Sequence, residues 1–298
     1  MMAKVLVTGG AGFIGSHLVD RLVSDGYDVV VLDNLSTGKK ENVNSGAKLI
    51  ECDIGDHEAI VKHFDGAEVV FHLAAKARIQ PSIADPLSYN QTNITGTLNV
   101  LWAAKNSGVG KVIYSASSSA YGDQTRFPLN ERMTGRPKTP YGVQKYVGEL
   151  YCRLFSDLYG LPTIVLRYFN AYGTRQPIDG PYPTVIGLFL EQSQGGKPMT
   201  IIGDGEQRRD FTHVSDVVEA NIRAWQSNVS GGELFNIGTG RNYSMNEVAA
   251  IIGGPTVNIP PRPGEARISL ADNAKAKRLL GWEPKVTLQE GIAKLKAI

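Results

Sequence analysis

The stretch KVLVTGGAGFIGSHLV, residues 4–19, decides the fold because it holds three local signals in a row. KVLVT is a short apolar, β-branched run with the character of a buried strand. GGAGFIG is a glycine turn: Gly9, Gly12 and Gly15 recur every third residue, and Gly10, Gly12 and Gly15 satisfy G-x-G-x-x-G. From Phe13 onward the apolar residues take helical spacing. A strand that turns through glycines into a helix is an arrangement for binding a pyrophosphate: backbone amides approach closely and the helix start carries partial positive charge. Asp33 stands 18 residues beyond Gly15, at the end of the next apolar run. A carboxylate there accepts hydrogen bonds from the adenosine ribose hydroxyls and repels a 2′-phosphate, so the pattern favours NAD and, despite the nearby Lys39 and Lys40, disfavours NADP. Asp53, in ECDIGD, is placed either to accept from the adenine amino group or to cap its own loop.

Outward from this unit, residues 4–8, 29–33, 48–51, 69–73 and 112–115 read as buried strands, and residues 13–24, 58–64, 98–106 and 143–159 as crossover helices. Residues 163–167 add one more strand. This alternation predicts an α/β fold, a doubly wound parallel sheet of Rossmann type with helices on both faces. The texture changes after about Asn170, where RQPIDGPYP and IPPRPGEAR read as a cap over the carboxyl ends of the strands. A helix at 214–225 and a strand at 233–237 return to the sheet. The predicted division is therefore 1–170 plus about 212–237 for a dinucleotide-binding domain, and about 171–211 plus 238–298 for a smaller C-terminal substrate-binding domain.

Composition excludes several classes. The chain has 298 residues, 42% hydrophobic, which is ample for a large core. A net charge of +2 without long runs of one sign gives no basic surface for nucleic acid. Two cysteines, Cys52 and Cys152, form no disulfide framework and read as buried thiols in a reducing cytosol. The five histidines lack metal-ligand spacing, so no metal is expected. The start MMAKVLVTGG is no signal peptide and no apolar run approaches a membrane span, which predicts a cytoplasmic protein.

Tyr141 and Lys145 lie four apart at the start of YGVQKYVGELYCRLF, so both project from one helix face. A phenol with a pKa near 10 is a poor base at neutral pH. An adjacent ammonium, together with a cationic nicotinamide ring, favours the phenolate. Ser117, in IYSASSSAYG, closes the fifth strand, where its hydroxyl can bond a reacting oxygen. A Y-x-x-x-K match or a strand-end serine alone also fits a solvated surface; following the glycine loop in this order, they form a catalytic set.

The chain at this point resembles the extended short-chain dehydrogenases/reductases of the UDP-sugar epimerase branch. The resemblance runs through TGGAGFIGSH, Asp33–Asn34, HLAA, SSSAYG, YGVQK, RYFNAYG, GDGEQRRDF, HVSD, FNIGTG and LGWEPK. It implies NAD as cofactor, with Tyr141 as base, Lys145 as its partner and nicotinamide-ribose ligand, and Ser117 as the hydrogen-bonding serine. Phe13 and Ile14 would offer amides to the pyrophosphate; Asp33, Asn34, Asp53, Ile54, Leu73, Ala74, Ala75, Asn93, Ser115 and Tyr168 would line the cofactor site. Ser117, Ser118, Tyr141, Asn170, Val185, Arg209, Arg262, Glu265 and Ser269 would face the UDP-sugar: Asn170, Arg209 and Arg262 at the diphosphate, Glu265 near the uridine ribose. An ion pair with Asp204 or Asp210 is the structural alternative for Arg209.

The family's reactions differ after the first hydride transfer. Dehydratases need an acid and a second base beside the serine, where this chain has Ser118 and Ser119. Decarboxylating members place a glutamate two before the tyrosine of the YG pair, again Ser119 here. Epimerisation at C4 remains. The resemblance makes Ser269 the wall residue beside the C2 substituent, with an incidental surface serine as the alternative; a small residue there leaves room for an N-acetyl group, and ARIQPSIADP resembles epimerases that accept N-acetylhexosamines. The expected substrates are UDP-N-acetylglucosamine and UDP-N-acetylgalactosamine, with UDP-glucose and UDP-galactose as a second pair; the competing readings are UDP-glucuronate 4-epimerisation or another nucleotide-sugar oxidoreductase of the family and, behind these, a non-catalytic NAD-binding protein. Helices 98–106 and 143–159 could form a homodimer contact or simply pack on the sheet.

Overall fold

The structure is a computed structural model and describes residues 2–178, 183–261, 264 and 266–297. In chain order the first half holds β1 (Lys4–Thr8), α1 (Phe13–Ser24), β2 (Asp28–Asp33), β3 (Lys48–Glu51), α2 (His57–Val61), β4 (Ala67–His72), α3 (Ile79–Ala84), α4 (Pro86–Asn90), α5 (Gly96–Asn106), β5 (Lys111–Ser117), α6 (Pro140–Tyr159) and β6 (Thr163–Tyr168). The second half adds β7 (Ala171–Tyr172), α7 (Val185–Gln194), β8 (Met199–Ile202), β9 (Arg208–Arg209), β10 (Thr212–His213), α8 (Val214–Gln226), β11 (Glu233–Ile237), β12 (Tyr243–Ser244), α9 (Met245–Ile252), β13 (Thr256–Ile259), α10 (Ala274–Leu280) and α11 (Leu288–Lys296).

Seven strands form one parallel sheet in the order β11-β6-β5-β4-β1-β2-β3. Both faces are covered, which is why the strands read as continuous apolar runs. Alternate residues still point to opposite faces: Val5 and Val7 join the core that includes Leu18, Val217 and Trp282, whereas Leu6 joins the one that includes Val100, Cys152 and Phe155. The strand order reverses at β1, whose neighbours are β2 and β4, and a crevice beyond the carboxyl ends of β1 and β4 is the expected ligand site of such a sheet. A separate core gathers Phe189, Met199, Phe211, Met245, Val248, Leu288 and their neighbours from the later segments.

The expected elements are present, and their differences have local causes. α6 starts at Pro140 rather than residue 143, because the Thr139 hydroxyl accepts from the Gly142 amide (3.2 Å) and proline suits the first helical position. α2 stops at Val61, short of residue 64. The expected helix 98–106 is the last part of a longer one: α4, a π-helical turn over Gln91–Thr95 and α5 follow without a break. α3 is a helix the sequence reading left unassigned. Cys152 is buried, but Cys52 is only half-buried because β3 is an edge strand; both thiols are free. Among the described residues no cluster of His, Cys, Asp or Glu is placed to hold a metal, and no helix is long and apolar enough to cross a membrane.

Candidate active site

The glycine turn is fixed by contact, not only by its own conformational freedom. A Cβ on Gly9 would lie 2.6 Å from the Ala74 amide nitrogen, and one on Gly15 would lie 2.1 Å from the Gly9 carbonyl oxygen. Side chains there would push the loop away from β4 and α1 away from the loop. Gly12 caps α1 with no side-chain bond to its first-turn amides, leaving them available to an anion. Asp33 ties this loop down: its carboxylate accepts from the Ala11 amide (2.9 Å) and the Leu35 amide (2.8 Å). Each oxygen has a second acceptor position, so a ribose hydroxyl can still be bound. These features fit a dinucleotide. Asp53 caps its own loop, accepting from Gly55 N (2.7 Å), and also receives the Asn34 amide (2.8 Å). Ile54 is buried against α5, where Asn99 donates to its carbonyl (2.9 Å).

The HLAA segment is held by a buried chain of polar groups. His72 bonds Thr8 Oγ1 through Nδ1 (2.7 Å) and Thr97 Oγ1 through Nε2 (3.0 Å), and Thr97 donates to the Asn93 carbonyl (2.7 Å). Burial pushes the His72 imidazole down to about 3, aided by the Lys145 charge, so it is neutral at physiological pH. Ala74 N donates to Thr8 Oγ1 (3.2 Å), aligning the Leu73–Ala75 backbone with the glycine loop. Asn93 is 1% exposed; its side chain bonds Lys76 N and O (2.9 Å each) and Gln144 of α6 (2.9 Å). These bonds clamp the segment after β4 to α6.

Ser117, Tyr141 and Lys145 meet where the end of β5 faces the first two turns of α6. Ser117 hydrogen-bonds the Tyr141 phenol. Its hydroxyl also accepts from Ser119 N (3.2 Å) and donates to Ser119 Oγ (3.1 Å) in alternative settings. Lys145 Nζ donates to the Ser115 carbonyl (2.8 Å) and lies 5.0 Å from the centre of the Tyr114 ring. Burial lowers its pKa to about 8, against the pull of Cys152 and Glu149. Ser115 Oγ meets the Tyr168 hydroxyl (2.9 Å), which receives the Asn221 amide (2.8 Å). Both residues thus form the buried floor of the site. For Tyr141, burial raises the pKa; the Ser117 hydrogen bond and the Arg78 charge draw it down, leaving it above its ordinary value. The sequence reading gave that downward pull to Lys145. Here the ammonium donates to the Ser115 carbonyl, and after burial and the Ser117 hydroxyl the Arg78 charge is a smaller influence that draws the phenol down.

On the opposite side, Asn170 takes a positive φ of 29° and donates to the Asp210 carbonyl (3.0 Å). Arg209 is half-buried and donates to the carbonyl of Arg208 (3.0 Å). Asp204 pairs with Arg267 (2.8 Å), and the Asp210 carboxylate accepts from Thr239, Gly240 and Ala271, so the acids considered for Arg209 have other partners. Ser269 is buried, its hydroxyl without a hydrogen-bond partner. Val185 starts α7 and packs on the separate core around Phe189 and Met199; Ser118 opens a 3-10 turn beside Ser117. Arg262 and Glu265 lie outside the described residues. Gly264 sits close to Thr139 Cγ2 and Ile79 Cγ2 (3.1 and 3.4 Å from its would-be Cβ), beside the start of α6.

Three supporting features escaped the sequence reading. Ser82 of α3 accepts from the Tyr141 amide (3.2 Å). Arg167 makes a buried two-pronged pair with Glu149, one turn beyond Lys145 (2.7 and 2.5 Å), and stacks over Tyr121 (4.3 Å). Arg78 holds a φ of 98°. The only sequence signal for Arg78 and Ser82 was their place in ARIQPSIADP; the Arg167–Glu149 pair joins residues whose proximity depends on β6 packing under α6.

Residues 5–238 match the NAD dependent epimerase/dehydratase family. The chain belongs to that family. The UDP-glucose 4-epimerase of Mycolicibacterium smegmatis is 40% identical over 305 residues, covering 98% of this chain and 96% of that protein. The structure of UDP-glucose 4-epimerase from Thermotoga maritima with UDP-glucose is 44% identical, with a TM-score of 0.93 and coverage of 97% and 96%. The UDP-N-acetylglucosamine 4-epimerase from Methanobrevibacter ruminantium, in complex with UDP-N-acetylmuramic acid, is 37% identical, with a TM-score of 0.93 and coverage of 100% and 99%. This family member is thus an NAD-dependent isomerase of the UDP-sugar 4-epimerase branch, as the sequence motifs implied.

Proposed function

We propose that this family member interconverts UDP-N-acetylglucosamine and UDP-N-acetylgalactosamine, with UDP-glucose and UDP-galactose as a second pair. The carrying observation is that Ser117 and Tyr141 are flanked by the hydroxyls of Ser118 and Ser119, positions where a dehydratase or decarboxylase needs a carboxylate. Such a site can move one proton and no more. Tyr141 as phenolate takes the C4 hydroxyl proton, while Ser117 bonds the oxygen as it becomes a carbonyl. When bound, NAD⁺ would supply the redox chemistry at C4, a two-electron oxidation that is afterwards reversed. The 4-keto sugar turns its other face, and Tyr141 gives its proton back to the oxygen, so protons and electrons balance.

In this reading Asn170, Arg209 and Arg262 bind the diphosphate, Glu265 the uridine ribose, and Val185 contributes to the substrate side. The buried, unpartnered hydroxyl of Ser269 supports its assignment to the wall beside the C2 substituent, where it leaves room for an N-acetyl group. The domain division that fits this reading is 1–170 plus 212–237 against 171–211 plus 238–298. The separate core supports it, although Ala276, Leu280 and Trp282 pack back onto the sheet core. Exposed Trp102, Leu150, Leu154, Leu158 and Tyr159 on α5 and α6 support a homodimer through these helices, and free thiols support a cytoplasmic setting.

The test is incubation with UDP-N-acetylglucosamine, UDP-glucose and UDP-glucuronate separately, with products identified by NMR and no added NADH. The reading requires C4 epimers of the first two. Epimerisation of UDP-glucuronate alone, or a dehydrated or decarboxylated product, would refute it.

A further inference from the structure

The face of α6 that carries Tyr141 and Lys145 carries one more ionisable residue. Tyr141, Lys145 and Glu149 recur every fourth position, so they form one stripe along the helix. Two members of the stripe are bonded to the sheet. Lys145 Nζ donates to the Ser115 carbonyl of β5 (2.8 Å), and Glu149 receives both prongs of the Arg167 fork from β6, Nε at 2.7 Å and Nη2 at 2.5 Å. The strand register sets these partners side by side, with Ser115 opposite Leu166 and Ala116 opposite Arg167. Between the two bonds α6 rests on a glycine: a Cβ on Gly148 would lie 2.2 Å from the Tyr114 hydroxyl oxygen. A glycine lets helix and strand approach closely but offers no side chain to key the helix against rotation. The fork, one residue further along, does. A planar guanidinium held by both carboxylate oxygens fixes direction as well as distance. Arg167 is itself braced: its guanidinium lies over the Tyr121 ring (4.3 Å to the centre), and the Tyr121 hydroxyl donates to Asn236 Oδ1 of β11 (2.8 Å). Asn236 Nδ2 in turn donates to the Leu129 and Asp272 carbonyls (2.8 and 3.2 Å).

As a source of stability this pair is a poor choice. Its side chains are 2% and 7% exposed, so both charges have lost their water. Arg167 Nη1 is buried without a hydrogen-bond partner. Burial outweighs the adjoining guanidinium at Glu149, whose carboxyl stays above its ordinary value. Apolar side chains of similar volume would hold helix to sheet as firmly. What they cannot supply is a direction. We propose that Glu149 and Arg167 are positioning residues for the reaction: their buried fork fixes the rotation of α6 about its axis and so aims Tyr141 and Lys145 into the crevice. A helix turns as one body, so a roll that displaces Glu149 displaces the two residues one and two turns before it. The pair acts through α6 and not at the sugar.

The proposal rests on the reading that Tyr141 and Lys145 act on the sugar, and its test separates the two ideas. Arg167→Lys keeps the charge but replaces the fork by a point. Glu149→Leu combined with Arg167→Met removes both charges at similar volume. Tyr141→Phe is the control on the base. Each protein is purified with its NAD and assayed on UDP-N-acetylglucosamine, UDP-glucose and UDP-glucuronate, so kcat can be read even if the substrate reading fails. A displacement of about 1 Å at a reacting group lowers turnover about a hundredfold. The two pair variants should lose kcat by about that factor, while KM, bound NAD and melting temperature stay near those of the parent. A role in stability alone predicts the reverse, a lowered melting temperature with kcat kept below it. That result in either variant overturns the proposal, and so does a raised KM with unchanged kcat. Where one of the two does not fold, the other decides. Full turnover in Tyr141→Phe overturns both the reading and the proposal. An inactive Tyr141→Phe beside fully active pair variants overturns the proposal alone.

Discussion

Gly9 and Arg78 both hold positive φ, 73° and 98°, and both border the segment after β4, yet they reach that state in opposite ways. Gly9 adopts it without steric strain, and its missing side chain is what lets Ala74 approach. Arg78 adopts it against its own preference, and three side-chain anchors keep it there. The cofactor side of the crevice is thus relaxed and defined by what is absent. The catalytic side is strained and defined by what is held. Backbone strain of this kind has a cost of about 1–3 kcal/mol and survives where surrounding contacts over-determine it.

The sharpest way to break the relaxed side is Gly15→Val. Its Cβ would sit 2.1 Å from a carbonyl that cannot move without shifting the loop, so about 4 kcal/mol or more of stability and all NAD retention should be lost. Thermal melting and cofactor released on denaturation measure both; a stable, NAD-loaded variant would show the loop to be pliable. On the strained side, Tyr141→Phe removes only a hydroxyl. Turnover should fall about a thousandfold while melting temperature and bound NAD stay unchanged. Persisting activity would remove the phenol from the chemistry and leave the strain around it without a purpose.

His72 links the two sides, bonding Thr8 on one and Thr97 on the other. Its folded pKa, about 3, lies below the unfolded value near 6.5. The unfolded chain therefore binds the extra proton first, and stability falls as pH drops through 6.5 toward 3, by about 2 kcal/mol at pH 5 from this group. Urea titrations at pH 7 and 5 read the loss, and His72→Gln should flatten the difference by that amount. An identical pH dependence in the variant would show that the bridge does not couple to acid unfolding. The smallest expected effect is Arg78→Gly. Relief of the backbone strain should offset the added freedom of the unfolded chain and raise stability by about 1 kcal/mol. A loss of stability would mean that the Arg78 side chain contributes more packing than its backbone loses.

The comparison also marks how far the sequence could be read. The glycine loop, Asp33, the strand alternation and the Tyr141–Lys145 spacing are local patterns: neighbouring residues fix them, and the sheet and its cofactor crevice followed. The Ser117–Tyr141 contact was readable only as an order of motifs. Asn93 and Asp53 were placed near the cofactor from their motifs; that they also bond Lys76, Gln144 and Gly55 depends on the packing of separate segments.

Sequence alone determined the α/β class, the glycine turn and the placing of Tyr141 and Lys145 on one helix face, because strand period, helix period and glycine turns are properties of short segments. Only the tertiary structure decided what surrounds that tyrosine. Lys145 is nearest along the helix but bonds the Ser115 carbonyl, whereas Ser82, 59 positions before Tyr141, reaches its amide from a short helix that no periodic pattern announces. Charge interactions act through space, and the distances that govern them are set by packing.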